Sequence, residues 1–109
     1  MLFAIFLKEK PEVILFETFP SFKYIRELVP YIKEKSPDTF LITNFCLDKN
    51  GYTAAGISIT SLLKELANSL DIDAGGFNCG IGSGHMYQLL KGVNLPDNKY
   101  IVIAPNAGY

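Results

Sequence analysis

The chain has 109 residues, of which 49% are hydrophobic and 19% charged, and its formal net charge is -1. This composition is typical of one globular domain or part of one, and it excludes a disordered segment. Because the sequence has no block of acidic or basic residues, it predicts neither a nucleic-acid groove nor contact with an anionic membrane surface.

The cysteine content and the start of the chain bear on the compartment. Two cysteines, Cys46 and Cys79, are too few for a disulfide framework, so a small secreted domain is not predicted. The apolar segment 2–7 lacks a leading positive region and a small-residue cleavage site, and it is far shorter than the roughly 20 residues that span a bilayer. We therefore expect a cytoplasmic protein with reduced thiols and no membrane segment.

Short apolar runs and amphipathic segments alternate along the chain. In order, they predict the end of a helix over 2–10, a strand over 13–16, a helix from 20, a strand over 39–45, a helix from 58, a strand over 72–77, a helix from 83 and a strand over 100–104. The order α-β-α-β-α-β-α-β predicts an α/β fold with a parallel sheet of four strands and right-handed crossovers.

Local signals refine this prediction. The continuous apolar run 13–16 is typical of a strand covered on both faces. Pro30 is expected to kink or shorten the helix that contains it. Ser58 is a candidate cap for the clearest amphipathic helix. The apolar stripe of that helix is predicted to comprise Ile59, Leu62, Leu63, Leu66 and Leu70.

The number of strands limits the architecture. The chain begins within a predicted helix and ends on a strand, and four strands cannot close a (βα)8 barrel, which needs eight. We therefore expect residues 1–109 to form a single domain that is either a small open sheet or a portion of a larger structure.

Polar residues follow the end of each predicted strand, and in a parallel sheet they lie at one rim. They are Glu17 and Thr18 after the first strand, Asn44, Cys46 and Asp48 at the second, Asn78 and Cys79 at the third, and Asn106 at the fourth. A carboxylate, a thiol and an amide that converge there could bind an amino acid and a soft metal.

Each of these residues also has a simpler interpretation. Glu17 ends an apolar run and needs a hydrogen bond or a cation, which an α-amino group, a neighbouring backbone group or a helix terminus can supply. Cys79 could ligate zinc, act as a nucleophile or pack as a small hydrophobic residue. Cys46 is interpreted as a packing residue, and His85, the only histidine, as a surface residue of a helix.

Four motifs together resemble the homocysteine S-methyltransferase family, which includes the homocysteine-binding module of cobalamin-dependent methionine synthase and proteins fused to methylenetetrahydrofolate reductase. They are residues 16–21, 48–51 with 56–58, 76–79 and 105–108. The resemblance covers nearly the whole chain in the right order. Its most specific parts are Gly-x-Asn-Cys and Pro-Asn-Ala-Gly.

The resemblance implies a (βα)8 barrel of which this chain corresponds to the fourth to seventh strands. It implies that Glu17 holds the amino group of homocysteine, that Asn106 lies in the substrate site close to a catalytic zinc, and that Cys79 is one zinc ligand. The family's other two zinc cysteines lie in a Gly-Gly-Cys-Cys motif, and this chain stops before that motif.

The resemblance also implies a chemistry. Zinc favours the thiolate of homocysteine, which attacks the methyl group of a donor to give methionine. Because the chain has one of the three zinc cysteines, we expect it to be inactive alone. The donor, whether methyl-folate, S-adenosylmethionine, S-methylmethionine or betaine, is not identified by these residues.

Two other functions fit the same residues. One is a non-catalytic half-barrel that binds a small amino acid or thiol, or that self-associates through exposed sheet edges. The other is a small open-sheet enzyme with Cys79 as its nucleophile. That enzyme needs a general base, and His85 is poorly placed to be one.

Overall fold

The computed structural model describes residues 11–19 and 21–106, without the side chains at 18, 19, 78–83, 85, 105 and 106. The predicted helix over 2–10 therefore lies outside the described residues. None of the described helices combines the length and the apolar composition that a membrane-spanning helix requires.

Four strands form one parallel sheet in chain order. β1 is Val13–Phe19, β2 is Phe40–Cys46, β3 is Ala74–Gly82 and β4 is Tyr100–Asn106, and each pairs in parallel with the next. Three helices connect them: α1 is Lys23–Lys35, α2 is Ile59–Ala67 and α3 is Ser83–Leu90. The structure confirms the predicted α/β class and the parallel alternation of strands and helices.

One face of the sheet, which we call the helix face, packs against the helices. It presents side chains that alternate along the strands, namely Ile14, Phe16, Leu41, Thr43, Phe45 and Phe77, all buried. α1 covers it with Ile25, Val29 and Ile32, α2 with Ile59, Leu62, Leu63 and Leu66, and α3 with Met86. Burial of each large apolar side chain contributes roughly 1.5–3 kcal/mol, so this layer holds the sheet together.

The opposite face, which we call the open face, carries the alternate residues of the strands. They are Val13, Leu15 and Glu17 on β1, Phe40, Ile42, Asn44 and Cys46 on β2, Ala74 and Gly76 on β3, and Tyr100, Val102 and Ala104 on β4. Val13 is 51% exposed, Leu15 47% and Tyr100 72%. The expectation that the first strand is covered on both faces is therefore wrong for the described part of the chain.

Three other local predictions have different outcomes. Ser58 caps α2 as predicted, because its side chain accepts a hydrogen bond from the backbone N–H of Ser61 at 3.2 Å. Pro30 does not shorten α1, which continues to Lys35, and the kink expected there stays a prediction. Leu70 lies beyond the end of α2 and is 94% exposed, so its predicted place in the apolar stripe is wrong.

The amino end of the sheet is held by polar contacts. The Thr39 hydroxyl donates to the carbonyl of Pro11 at 2.6 Å and lies 2.6 Å from the Ser36 hydroxyl. The Asp73 carboxylate accepts the backbone N–H of Leu41 at 2.9 Å. The Lys99 ammonium donates to the carbonyls of Ser69 and Ile72, in the connection that leads into β3. These bonds fix where the strands start.

Two adjacent glycines on β3 allow the close packing at the centre of the sheet. A Cβ atom at Gly75 would lie 2.7 Å from Leu66 Cδ2 and 3.0 Å from Thr43 Oγ1, so the missing side chain makes room for α2. A Cβ atom at Gly76 would overlap the backbone carbonyl of Val102 on β4. Helix packing therefore requires a glycine at position 75, and the pairing of β3 with β4 requires one at 76.

We predict that Gly75→Ala lowers the free energy of unfolding by about 1–3 kcal/mol, because it overpacks the contact with α2. Gly76→Ala should lower it more. The difference arises because the buried Leu66 side chain can shift, whereas the backbone of β4 cannot shift without losing strand pairing. Urea unfolding followed by circular dichroism measures both free energies of unfolding. Gly92→Ala is the matched control, since a Cβ atom there meets open space. Equal stability of Gly76→Ala and Gly92→Ala would contradict this account.

Candidate functional site

The carboxyl ends of all four strands lie at one edge of the sheet. Strand pairing places Glu17 beside Asn44, Asn44 beside Gly76, and Gly76 beside Val102. These four residues form a row across the open face, which we call the carboxyl row. In parallel α/β proteins this edge is where ligands bind.

Glu17 lies within β1 and is exposed on the open face. Because Glu17 is exposed, its carboxylate does not need the hydrogen bond or cation that a buried carboxylate would require. Its neighbours Val13 and Leu15 on the same face are also exposed, so the carboxylate stands at the end of an apolar strip. A charged group in that position is open to a ligand that approaches the carboxyl edge.

Cys79 and Asn106 lie on the other two predicted site strands, at the same edge. The sequence predicted that Asn78 and Cys79 follow the end of the third strand, but β3 continues to Gly82. Asn106 is the last residue of β4 and pairs with Gly82. Gly76 is level with Glu17 two strands away, and Cys79 lies three residues beyond Gly76, so Glu17 and Cys79 are about 10 Å apart across the sheet and about 10 Å apart along the strands. The side chains of Cys79 and Asn106, like that of His85, lie outside the described part.

The row also contains Asn44, which the sequence places among the polar residues of the rim without a role of its own. Asn44 is only 3% exposed, and its Oδ1 atom has no hydrogen-bond partner among the described residues. A buried amide oxygen without a partner costs about 1–3 kcal/mol. The position of Asn44 at a strand end was evident from the sequence, but its burial and missing partner depend on the three-dimensional packing.

Cys46 ends β2 on the open face and is partly buried, in register with Asn78. Its interpretation as a packing residue stays a prediction. The loop after β2 extends the carboxyl edge, and its residues 48–51 and 56–58 belong to the family motifs.

That loop, residues 47–58, is held in a defined shape. The Asp48 carboxylate accepts the backbone N–H groups of Asn50 at 2.9 Å and Tyr52 at 3.0 Å. These bonds, first that from Tyr52 and then that from Asn50, lower the pKa of Asp48 below its usual value. Gly51 has a φ of 85° and lies against Leu89 of α3. The loop therefore forms an ordered wall of the carboxyl edge.

Two cavities lie away from this edge. One of about 270 Å³ is at the amino end of the sheet, lined by Pro11, Glu12, Ser36, Pro37, Asp38 and Thr39. Another of about 260 Å³ lies between α1 and the connection that follows α2. The first cavity lies beside the polar contacts of Pro11, Ser36 and Thr39 that fix the strand starts.

The described residues contain no group of three or more His, Cys, Asp or Glu side chains that could hold a metal ion. Of the three zinc cysteines that the resemblance implies, the sequence contains one, Cys79, and it has no Gly-Gly-Cys-Cys motif. The three-cysteine site that the resemblance implies is therefore incomplete in this sequence.

Comparison with known proteins agrees with the motifs. No curated protein matches the chain. Residues 2–109 match the family model described as homocysteine S-methyltransferase, so the match covers almost the entire sequence rather than a single motif. The chain therefore belongs to the homocysteine S-methyltransferase family, whose activity is the transfer of a methyl group to homocysteine.

Proposed function

We propose that the carboxyl edge of this sheet binds the amino-acid end of homocysteine in a methyl transfer that forms methionine. Family membership supports the reaction class, and the single observation that supports the substrate position is the exposed Glu17 carboxylate in the carboxyl row. The α-amino group of an amino acid is mostly an ammonium ion at neutral pH. A charge-assisted hydrogen bond to a carboxylate is about twice as strong as a neutral one.

In this proposal the substrate extends along the carboxyl edge from β1 towards β3 and β4. Glu17 holds its ammonium group, Asn106 contributes an amide at the end of β4, and Cys79 lies near the substrate thiol. The reaction is assumed to occur in the cytoplasm, where both thiols stay reduced.

Zinc is the part of the family chemistry that this chain does not support alone. Of the three zinc cysteines in the family pattern, this sequence contains only Cys79. These residues alone therefore account for no step that uses the metal. We propose instead that the chain supplies the substrate edge and one thiolate, and that it is inactive by itself.

Alone, the 109-residue chain should retain substoichiometric zinc after dialysis and form no methionine from homocysteine with any of the four candidate methyl donors. Metal analysis and chromatographic detection of methionine measure the two quantities. The matched variants are Cys79→Ser and Cys46→Ser. Stoichiometric zinc that Cys79→Ser removes and Cys46→Ser leaves in place would show that the chain holds zinc alone, and methionine formation would show that it is active alone.

Glu17→Gln should weaken the binding of L-homocysteine at least about tenfold, because one hydrogen bond to a charged group is worth about 1.5–3 kcal/mol. Titrations followed by NMR measure the dissociation constants. The comparison ligand is 4-mercaptobutyrate, which is homocysteine without its amino group and should be insensitive to the substitution. Glu34→Gln, on the exposed part of α1, is the control variant. Unchanged homocysteine binding by Glu17→Gln would refute the assignment.

We also propose that residues 1–109 form one portion of a (βα)8 barrel. In such a barrel the face opposite the helices is the packed interior. The open face has that character, since it presents Val13, Leu15 and Tyr100 to solvent and carries the small residues Ala74 and Gly76 between larger neighbours. A soluble monomer rarely leaves a continuous apolar surface of this kind uncovered.

The same exposed face favours a second candidate, a non-catalytic half-barrel that self-associates. Two copies could bury their open faces and pair their edge strands β1 and β4, which are the outer strands of the described sheet. Either the barrel portion or the self-associated half-barrel could bind a small amino acid or thiol without turnover.

For self-association, sedimentation velocity should show a dimer that dissociates on dilution. Leu15→Glu, on the open face, should weaken the dimer at least about tenfold because it adds a charge to a buried apolar contact. Leu70→Glu is the control, since Leu70 is also exposed but lies at the opposite layer, after α2. A monomer at all concentrations would exclude the self-associating half-barrel.

A further inference from the structure

The buried amide of Asn44 is an energetic anomaly in the described structure. Its Oδ1 atom lacks a hydrogen-bond partner there, and the residue is 3% exposed. Replacing such a polar group by an apolar group of the same shape is commonly neutral or stabilising. A group that lowers stability in the unliganded chain is expected where a ligand completes its hydrogen bonds.

The neighbours of Asn44 indicate what that ligand presents. Asn44 pairs directly with Glu17 on the adjacent strand, and both side chains belong to the open face. Adjacent strands lie about 4.8 Å apart, so both side chains can reach one small group between them. A carboxylate and an amide oxygen are both acceptors, and a cation with several N–H donors satisfies them together.

We propose that Asn44 Oδ1 accepts a hydrogen bond from the ammonium group of the amino-acid ligand, beside the Glu17 carboxylate. This inference rests on the proposed function and adds a second acceptor to its amino-group site. The ammonium group has three donors, so it can bond to both side chains and keep one donor for another partner. Asn44 is then a substrate-binding residue that fixes the direction of the amino group across the row.

A second orphaned atom provides the matched comparison. Thr43 Oγ1 is also buried without a hydrogen-bond partner in the described part of the chain, and Thr43 precedes Asn44 in the same strand. Thr43, however, lies on the helix face, where its hydroxyl is next to the position of Gly75 and under Leu66. It has the same polar defect but no access to the carboxyl row.

The experiment compares Asn44→Leu with Thr43→Val in the 109-residue chain. Three probes are titrated by NMR: L-homocysteine, 3-aminopropane-1-thiol, which lacks the carboxylate, and 4-mercaptobutyrate, which lacks the amino group. We expect Asn44→Leu to weaken binding of the two amines at least about tenfold and to leave 4-mercaptobutyrate unchanged. Thr43→Val should bind all three probes like the wild-type chain. The urea midpoints of both unliganded variants should equal or exceed that of the wild type.

The outcomes separate this inference from the proposed function. If Asn44→Leu binds both amines like the wild type while Glu17→Gln is weakened, the role of Asn44 is refuted and the homocysteine site stands. If the wild-type chain binds 4-mercaptobutyrate as tightly as homocysteine, the amino-group site itself is refuted. A urea midpoint of Asn44→Leu well below that of Thr43→Val would show that the amide belongs to the fold, and would also overturn the inference.

Discussion

Parallel pairing of β1 to β4 in chain order is the constraint on which the rest of the structure depends. It arises because three helices cover one face of the sheet with buried apolar side chains, so each strand must run in the same direction as the one before. The consequence is that four carboxyl ends distant in sequence meet at a single edge. Gly75 and Gly76 are part of this constraint, since a side chain at either position would separate β3 from α2 or from β4.

The amino and carboxyl ends of the sheet differ in how many of their polar groups have hydrogen-bond partners. At the amino end, Thr39, Asp73 and Lys99 all bond to the backbone of neighbouring segments. At the carboxyl end, Glu17 is exposed and the Asn44 amide oxygen is buried without a partner in the described structure. The satisfied edge stabilises the fold, and the unsatisfied edge has the unused hydrogen-bonding capacity that a ligand requires.

Much of the fold follows from local sequence signals, and the exceptions have physical causes. The order of elements and the Ser58 cap were predictable, because apolar periodicity and capping act within a few residues. An apolar run such as 13–16 does not reveal whether one face or both are covered, since that depends on distant elements. The extension of β3 past Cys79 was missed because strand pairing, rather than apolar content, continues it to Gly82. The role proposed for Asn44 needed its burial, which the sequence does not contain.

The open face links the architecture to the chemistry at its carboxyl end. Glu17 and Asn44 share this face with Val13, Leu15 and Tyr100, which are exposed. A hydrogen bond between a carboxylate and an ammonium ion is weak where water competes and grows stronger as the local dielectric falls. Any surface that covers the apolar part of the open face also removes water from beside the carboxyl row. If Glu17 and Asn44 bind the amino group as proposed, covering the apolar strip and binding that group are coupled, and an exposed open face limits affinity.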